Sequence, residues 1–108
     1  MNDTIEPIRL RSDNFTPATR TPWGGRRIRS VYKTAAGGSH GIVGESWEIS
    51  VEPSFPSFVV PSGRTLAQHI ADAPVAWLGE AVAGRFGGQT PLLVKLVDAA
   101  DHLSVQVH

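Results

Sequence analysis

Gln106 and His108 stand two residues apart in the run LSVQVH. On an extended segment, residues i and i+2 project to one face, so an amide oxygen and an imidazole nitrogen can converge on one point. Both donors are neutral, and together they suit zinc or a similar divalent ion. A tetrahedral site that keeps one position open to substrate needs further donors, typically a second histidine and a carboxylate. A polar strand face meeting solvent would show the same spacing, and on spacing alone that plainer reading is the stronger one.

Lys95 is the second candidate. It sits inside LLVKLVD, where an ammonium is costly to bury without a partner. Such a lysine can steady a phosphate or an anionic enediolate oxygen. It can equally reach solvent from an edge strand, or pair with Asp98 or Asp101. Trp23, in the tripeptide Trp23-Gly24-Gly25, is the third. A tryptophan beside two glycines can offer a stacking platform for a sugar face, or plug a core beside a turn. Glu45 and Glu48 fall on opposite faces if ESWE is a strand, so they are set aside as a paired acid and base. His40, His69 and His102 have no spacing partner and read as structural. None of the glycine-rich stretches is followed by the Lys-Ser/Thr pair of a phosphate-cradling loop.

These side chains need elements to hold them. EPIRLRSD alternates as a short edge strand, and TPATRTPWGGRR is a loop broken by Pro17, Pro22 and two glycines. RRIRSVYK is either a helical turn or a strand, and AAGGSHG is a loop. ESWEISV alternates with period two, putting Trp47, Ile49 and Val51 on one side, and reads as a strand; SFVVP is another. A helix is expected from Thr65 to Ala73, where Pro74 ends the run. A second helix is expected over VAWLGEAVAGRF, weakened by Gly79 and Gly84. PLLVKLVDA reads as a nearly continuous apolar strand, DAADH as a turn, and LSVQVH as the returning strand. The fold class is therefore mainly β with short helices, a β-rich α+β arrangement without an internal boundary.

Composition sets the outer limits. The chain has 108 residues, enough for one domain, and its 41% hydrophobic and 19% charged content is that of a globular protein. Ten basic and ten acidic residues give a formal charge of zero, against a dedicated nucleic-acid or anionic-membrane binder. Residues 1–33 carry seven basic and three acidic side chains, and the remainder carries three basic and seven acidic, so the two parts attract each other within one fold. The absence of cysteine excludes disulfides, thiolate zinc sites and a cysteine nucleophile. With no signal peptide and no apolar run of membrane-spanning length, a cytoplasmic location is expected.

Taken in order, WGG, GESWEIS, PSGRTL and above all PLLVKLVDAADHLSVQVH resemble the type I mannose-6-phosphate isomerases, zinc-dependent enzymes of the cupin fold. The resemblance runs from about Pro7 to His108. It implies an incomplete cupin-type β-sandwich, or jelly roll, and the reversible interconversion of mannose 6-phosphate and fructose 6-phosphate. Carried over at matched positions, it makes Gln106 and His108 metal ligands, places Lys95 in the active site, and puts Trp23 near the substrate. Family members continue past Q-V-H and supply a glutamate and a further histidine ligand. The resemblance therefore implies an N-terminal portion, inactive alone, whose partners are a sugar phosphate and a complementing C-terminal chain. The competing reading is a non-catalytic cupin-like fragment that binds a sugar or a partner.

Overall fold

The computed structural model describes residues 5–36 and 41–107. Its elements in chain order are β1 (Arg9–Leu10), β2 (Glu45–Ile49), β3 (Val59–Val60), helix α1 (Leu66–Asp72), helix α2 (Pro74–Arg85) and β4 (Val94–Val97), with a π-helical turn at Ile28–Tyr32 and a 3-10 turn at Thr34–Ala36. The strands form two antiparallel pairs, β1 with β3 and β2 with β4, which with the helices make the expected β-rich α+β class. No helix among the described residues is long and apolar enough to cross a membrane. The chain divides into two compact units: residues 1–11 with 48–94, and residues 12–47 with 95–108.

In the first unit, Arg9 lies opposite Val60 and Leu10 opposite Val59. The chain then turns through Gly63, whose φ of +78° lies in the left-handed region that glycine enters without a side-chain clash. Thr65 follows as the N-cap of α1. Its hydroxyl accepts from the Gln68 N–H at 3.2 Å, and the Gln68 side chain accepts from the Thr65 N–H at 3.0 Å. That reciprocal capping box satisfies two otherwise orphaned donors and fixes where the helix starts. Leu66 and Ile70, four apart on one face, are buried together with Val59 as the apolar core of this unit. Pro74 ends α1 and opens α2, where a proline costs no hydrogen bond. Gly79 then breaks α2 into two turns, with φ +78° and ψ 162° in place of helical values.

Arg64 donates to Asp72 at 2.6 Å across the solvent face of α1, the two side chains being 45% and 59% exposed. The hydrogen bond from Arg64 holds the Asp72 carboxyl below the usual carboxylate range. A carboxyl depressed by folding stabilises above its unfolded pKa, and the contribution is lost as pH falls through the lower folded value. At this exposure water screens the pair almost completely. Asp72→Asn should leave the melting temperature unchanged at neutral pH, as thermal unfolding followed by circular dichroism would show.

The second unit is organised by threonines and serines more than by large apolar groups. Ile28, Val43 and Trp47 are its buried hydrophobic residues, beside buried Thr16, Thr21, Glu45 and Ser46. RRIRSVYK, open between helix and strand from sequence, is a single π-helical turn closed by the Lys33 N–H donating to the Ile28 carbonyl at 2.7 Å. Two expectations need correction. The apolar run PLLVKLVDA yields only the short strand β4, and all four of its residues are exposed. LSVQVH forms no strand at residues 103–107, because an extended segment becomes one only when a neighbour supplies the ladder of hydrogen bonds, and none does among the described residues.

Candidate functional site

The cavity that gathers the chemistry lies wholly in the second unit. It encloses about 230 Å3 and is lined by Trp23, Glu45 and Lys95, with Val97, Leu103, Ser104 and Gln106 around them. Three residues singled out from sequence, Trp23, Lys95 and Gln106, therefore share one hollow. His108 and His40 lie outside the described residues.

Each wall has a local cause. Gly24 and Gly25 are buried, and a Cβ on Gly24 would run into the backbone of Val43 and Gly44. Gly25 is likewise covered by the Asp98 carboxylate, and its N–H donates to the Asp98 carbonyl at 3.0 Å. The glycines thus serve close approach of three chain segments. Gly44 extends the logic, since a Cβ there would stand 2.9 Å from Cζ3 of Trp23. The missing side chain is what seats the indole. Gly24→Ala should cost about 3 kcal/mol by overpacking against backbone, which cannot move aside as a side chain can; urea unfolding measures it, and a loss below 1 kcal/mol would show the strands free to separate.

Glu45 is the residue that sequence reasoning set aside. Its backbone is held by Thr16, whose N–H donates to the Glu45 carbonyl at 2.9 Å and whose hydroxyl accepts from the Glu45 N–H at 3.1 Å. The Thr16 and Thr21 hydroxyls meet at 2.8 Å, so both turns of the loop are tied to the start of β2. With the backbone fixed, the Glu45 carboxylate accepts from Lys95 Nζ at both oxygens, at 3.0 and 3.2 Å. The side chains are 11% and 32% exposed respectively. Lys95 Nζ also stands 5.3 Å from the centre of the Trp47 ring, and the Arg20 guanidinium 5.1 Å from it. A cation over an indole face is stabilised by the ring quadrupole, so Trp47 helps hold the ammonium where the carboxylate places it.

The partner of Lys95 is therefore neither Asp98 nor Asp101. Asp98 instead accepts from the Arg27 N–H at 2.9 Å. Pairing with Glu45 was invisible from spacing, since it joins residues fifty positions apart. One signal was available: Glu45 and Trp47 share a strand face, so a carboxylate two residues from an apolar anchor had to find a cation on a neighbouring strand.

Gln106 reaches the same hollow from a segment without strand structure. Its Nε2 is 3.5 Å from the Ser104 hydroxyl, a long contact, and its carbonyl oxygen faces no donor among the described residues. That free amide oxygen fits a metal ligand. No cluster of three or more histidine, aspartate or glutamate side chains occurs among the described residues. What the walls offer together is a positive charge held at a fixed point, a buried carboxylate, a hydroxyl, an uncommitted amide oxygen and an aromatic face. Such a surface suits a hydroxylated small molecule.

Comparisons with curated proteins and with solved structures found no match. A sequence model for the phosphomannose isomerase type I catalytic domain matches residues 18–108. That span takes in every residue lining the cavity, and it shows that the chain belongs to the type I phosphomannose isomerase family.

Proposed function

We propose that the hollow around Lys95 is part of the active site of a mannose-6-phosphate isomerase of cupin type. The reaction is an aldose–ketose shift. The proton on C2 of the sugar departs and one is returned at C1, while O2 gives up its proton and O1 gains one. Negative charge develops on the two adjacent oxygens as the enediol forms, so a fixed positive charge beside them lowers the barrier. Lys95 supplies that charge, and its pairing with Glu45 is the observation that carries the reading. Glu45 acts as a positioning residue for the ammonium. Trp23 offers its face to the sugar ring, and a cytoplasmic location accords with a phosphorylated substrate.

Gln106 and His108 would hold a zinc ion, which when bound polarises the paired oxygens of the substrate. Two neutral donors are half of a tetrahedral shell, and further histidine or carboxylate donors would complete it. The deciding experiment uses a complete type I catalytic domain that includes this sequence. Formation of fructose 6-phosphate from mannose 6-phosphate, read in a coupled assay, should be abolished by a chelator and restored by zinc. A domain that bound the sugar phosphate with no conversion, with zinc present, would leave a non-catalytic sugar-binding module in its place.

A further inference from the structure

Two buried hydroxyls meet behind the hollow. Thr16 and Thr21 are 1% and 3% exposed, and their Oγ1 atoms stand 2.8 Å apart, so one donates to the other. The Thr16 oxygen has a second task, since it accepts from the Glu45 N–H at 3.1 Å. The Thr21 hydroxyl has no second partner of that quality. Its other contact, to the Pro17 carbonyl, is 3.4 Å long, and that carbonyl already accepts from the N–H groups of Arg20 and Thr21. A valine in place of Thr21 keeps the shape and leaves no buried group unpaired, because the Thr16 hydroxyl lies 3.2 Å from the Glu45 carbonyl and can donate there. Such an exchange costs little stability. Folding therefore does not account for the Thr21 oxygen.

Its place does. Each threonine belongs to one wall of the cavity. Thr16 holds the backbone of Glu45, whose carboxylate holds Lys95. Thr21 begins the turn that carries Trp23: its carbonyl accepts from the Gly24 N–H at 3.0 Å. Its side chain lies over Gly44, where a Cβ would come within 2.5 Å of Thr21 Cβ and 2.9 Å of the Trp23 ring. The hydroxyl contact is thus where the turn bearing the indole meets the segment bearing the carboxylate. An O–H···O hydrogen bond keeps two oxygens within a narrow range of distances. A methyl in place of either oxygen stands off at about 3.5 Å, so the two segments would part by several tenths of an ångström.

We propose that the Thr16–Thr21 hydroxyl pair sets the spacing between Trp23, which faces the sugar ring, and the Lys95 ammonium, which faces the reacting oxygens. Neither threonine lines the cavity, so both are positioning residues that act through residues that do. The proposal rests on the isomerase reading of this hollow. A sugar seated on the indole carries its reacting oxygens at a fixed reach, and a misplacement of about 1 Å between reacting groups costs on the order of 100-fold in rate. An opening of several tenths of an ångström should therefore cost about 10-fold.

In a complete type I catalytic domain carrying this sequence, Thr21→Val should lower kcat/KM for mannose 6-phosphate about 10-fold, most of the loss falling on kcat, with the thermal melt little changed. Thr21→Ser keeps the oxygen and should restore activity. A double-mutant cycle separates positioning from general damage. With the indole removed by Trp23→Ala there is no spacing left to keep, so Thr21→Val should cost less than about 2-fold in that background. Lys95→Met serves as the second background, and keeps the cycle readable where Trp23→Ala fails to fold. Equal losses with and without the indole or the ammonium, a loss matched by a smaller folded fraction, full activity in Thr21→Val, or no restoration by serine would each overturn the proposal. A wild-type domain that bound mannose 6-phosphate without converting it would instead overturn the isomerase reading. The same cycle, read on affinity for the sugar phosphate, would then decide the spacing role by the same criterion.

Discussion

In a complete type I domain carrying this sequence, Lys95→Met lowers kcat/KM for mannose 6-phosphate about 100- to 1000-fold, the range expected when one fixed donor to a developing oxyanion is removed. The size of the effect follows from where the ammonium is held. Both Glu45 oxygens accept from it, the Trp47 ring stands over it, and it opens on the cavity shared with Trp23 and Gln106. Methionine keeps the apolar stem and removes the charge. The substitution also strands a carboxylate that is 11% exposed, and stability should fall by about 1–3 kcal/mol, less than for a fully buried pair because water reaches Lys95.

The double variant separates the two effects. Adding Glu45→Gln replaces the stranded carboxylate by a neutral amide, so the stability lost to Lys95→Met should largely return while activity stays low. If activity returned with stability, Lys95 would be a structural residue and its assignment to the chemistry would be wrong. Lys95→Arg is expected to fold normally and remain impaired, since a planar guanidinium cannot place its charge where the compact ammonium sits.

On the proposed ligand set, Gln106→Ala should weaken zinc binding by more than the 10- to 100-fold that loss of an outer-shell partner costs, since it would remove a donor atom itself. The structure makes this test clean. Gln106 is exposed and makes only a long contact to Ser104, so its removal leaves the fold alone. Zinc affinity can be read by competition with a chromophoric chelator. Gln106→Glu keeps an oxygen donor at the same reach and should retain the metal. Wild-type zinc affinity in the alanine variant would remove Gln106 from the ligand set.

The residues of the site differ in how plainly the sequence announced them. Trp23 was marked by its two glycines, and the structure gives the physical reason: Gly24 and Gly25 sit where a Cβ would strike another segment. The helix from Thr65 was legible from apolar residues sharing one face and from Pro74 at its end, while the capping box of Thr65 and Gln68 that fixes its first residue came from the structure. Glu45 was not legible. Its separation from Glu48 was correctly expected, but its partner Lys95 lies on β4, fifty residues away.

Sequence by itself determined the local elements: alternation in ESWEISV gave β2, a shared apolar face ending at Pro74 gave α1, and of the two glycines that weakened the second helix Gly79 is where it breaks. Each follows from dihedral preference or side-chain period, both of which act within a few residues. Tertiary structure alone decided which charge answers Lys95, and that the apolar residues of β4 face outward. It also decided that LSVQV, for all its alternation, pairs with no neighbouring strand among the described residues. Pairing and burial are properties of what lies alongside, and period-two spacing shows which face a side chain takes without showing what that face will meet.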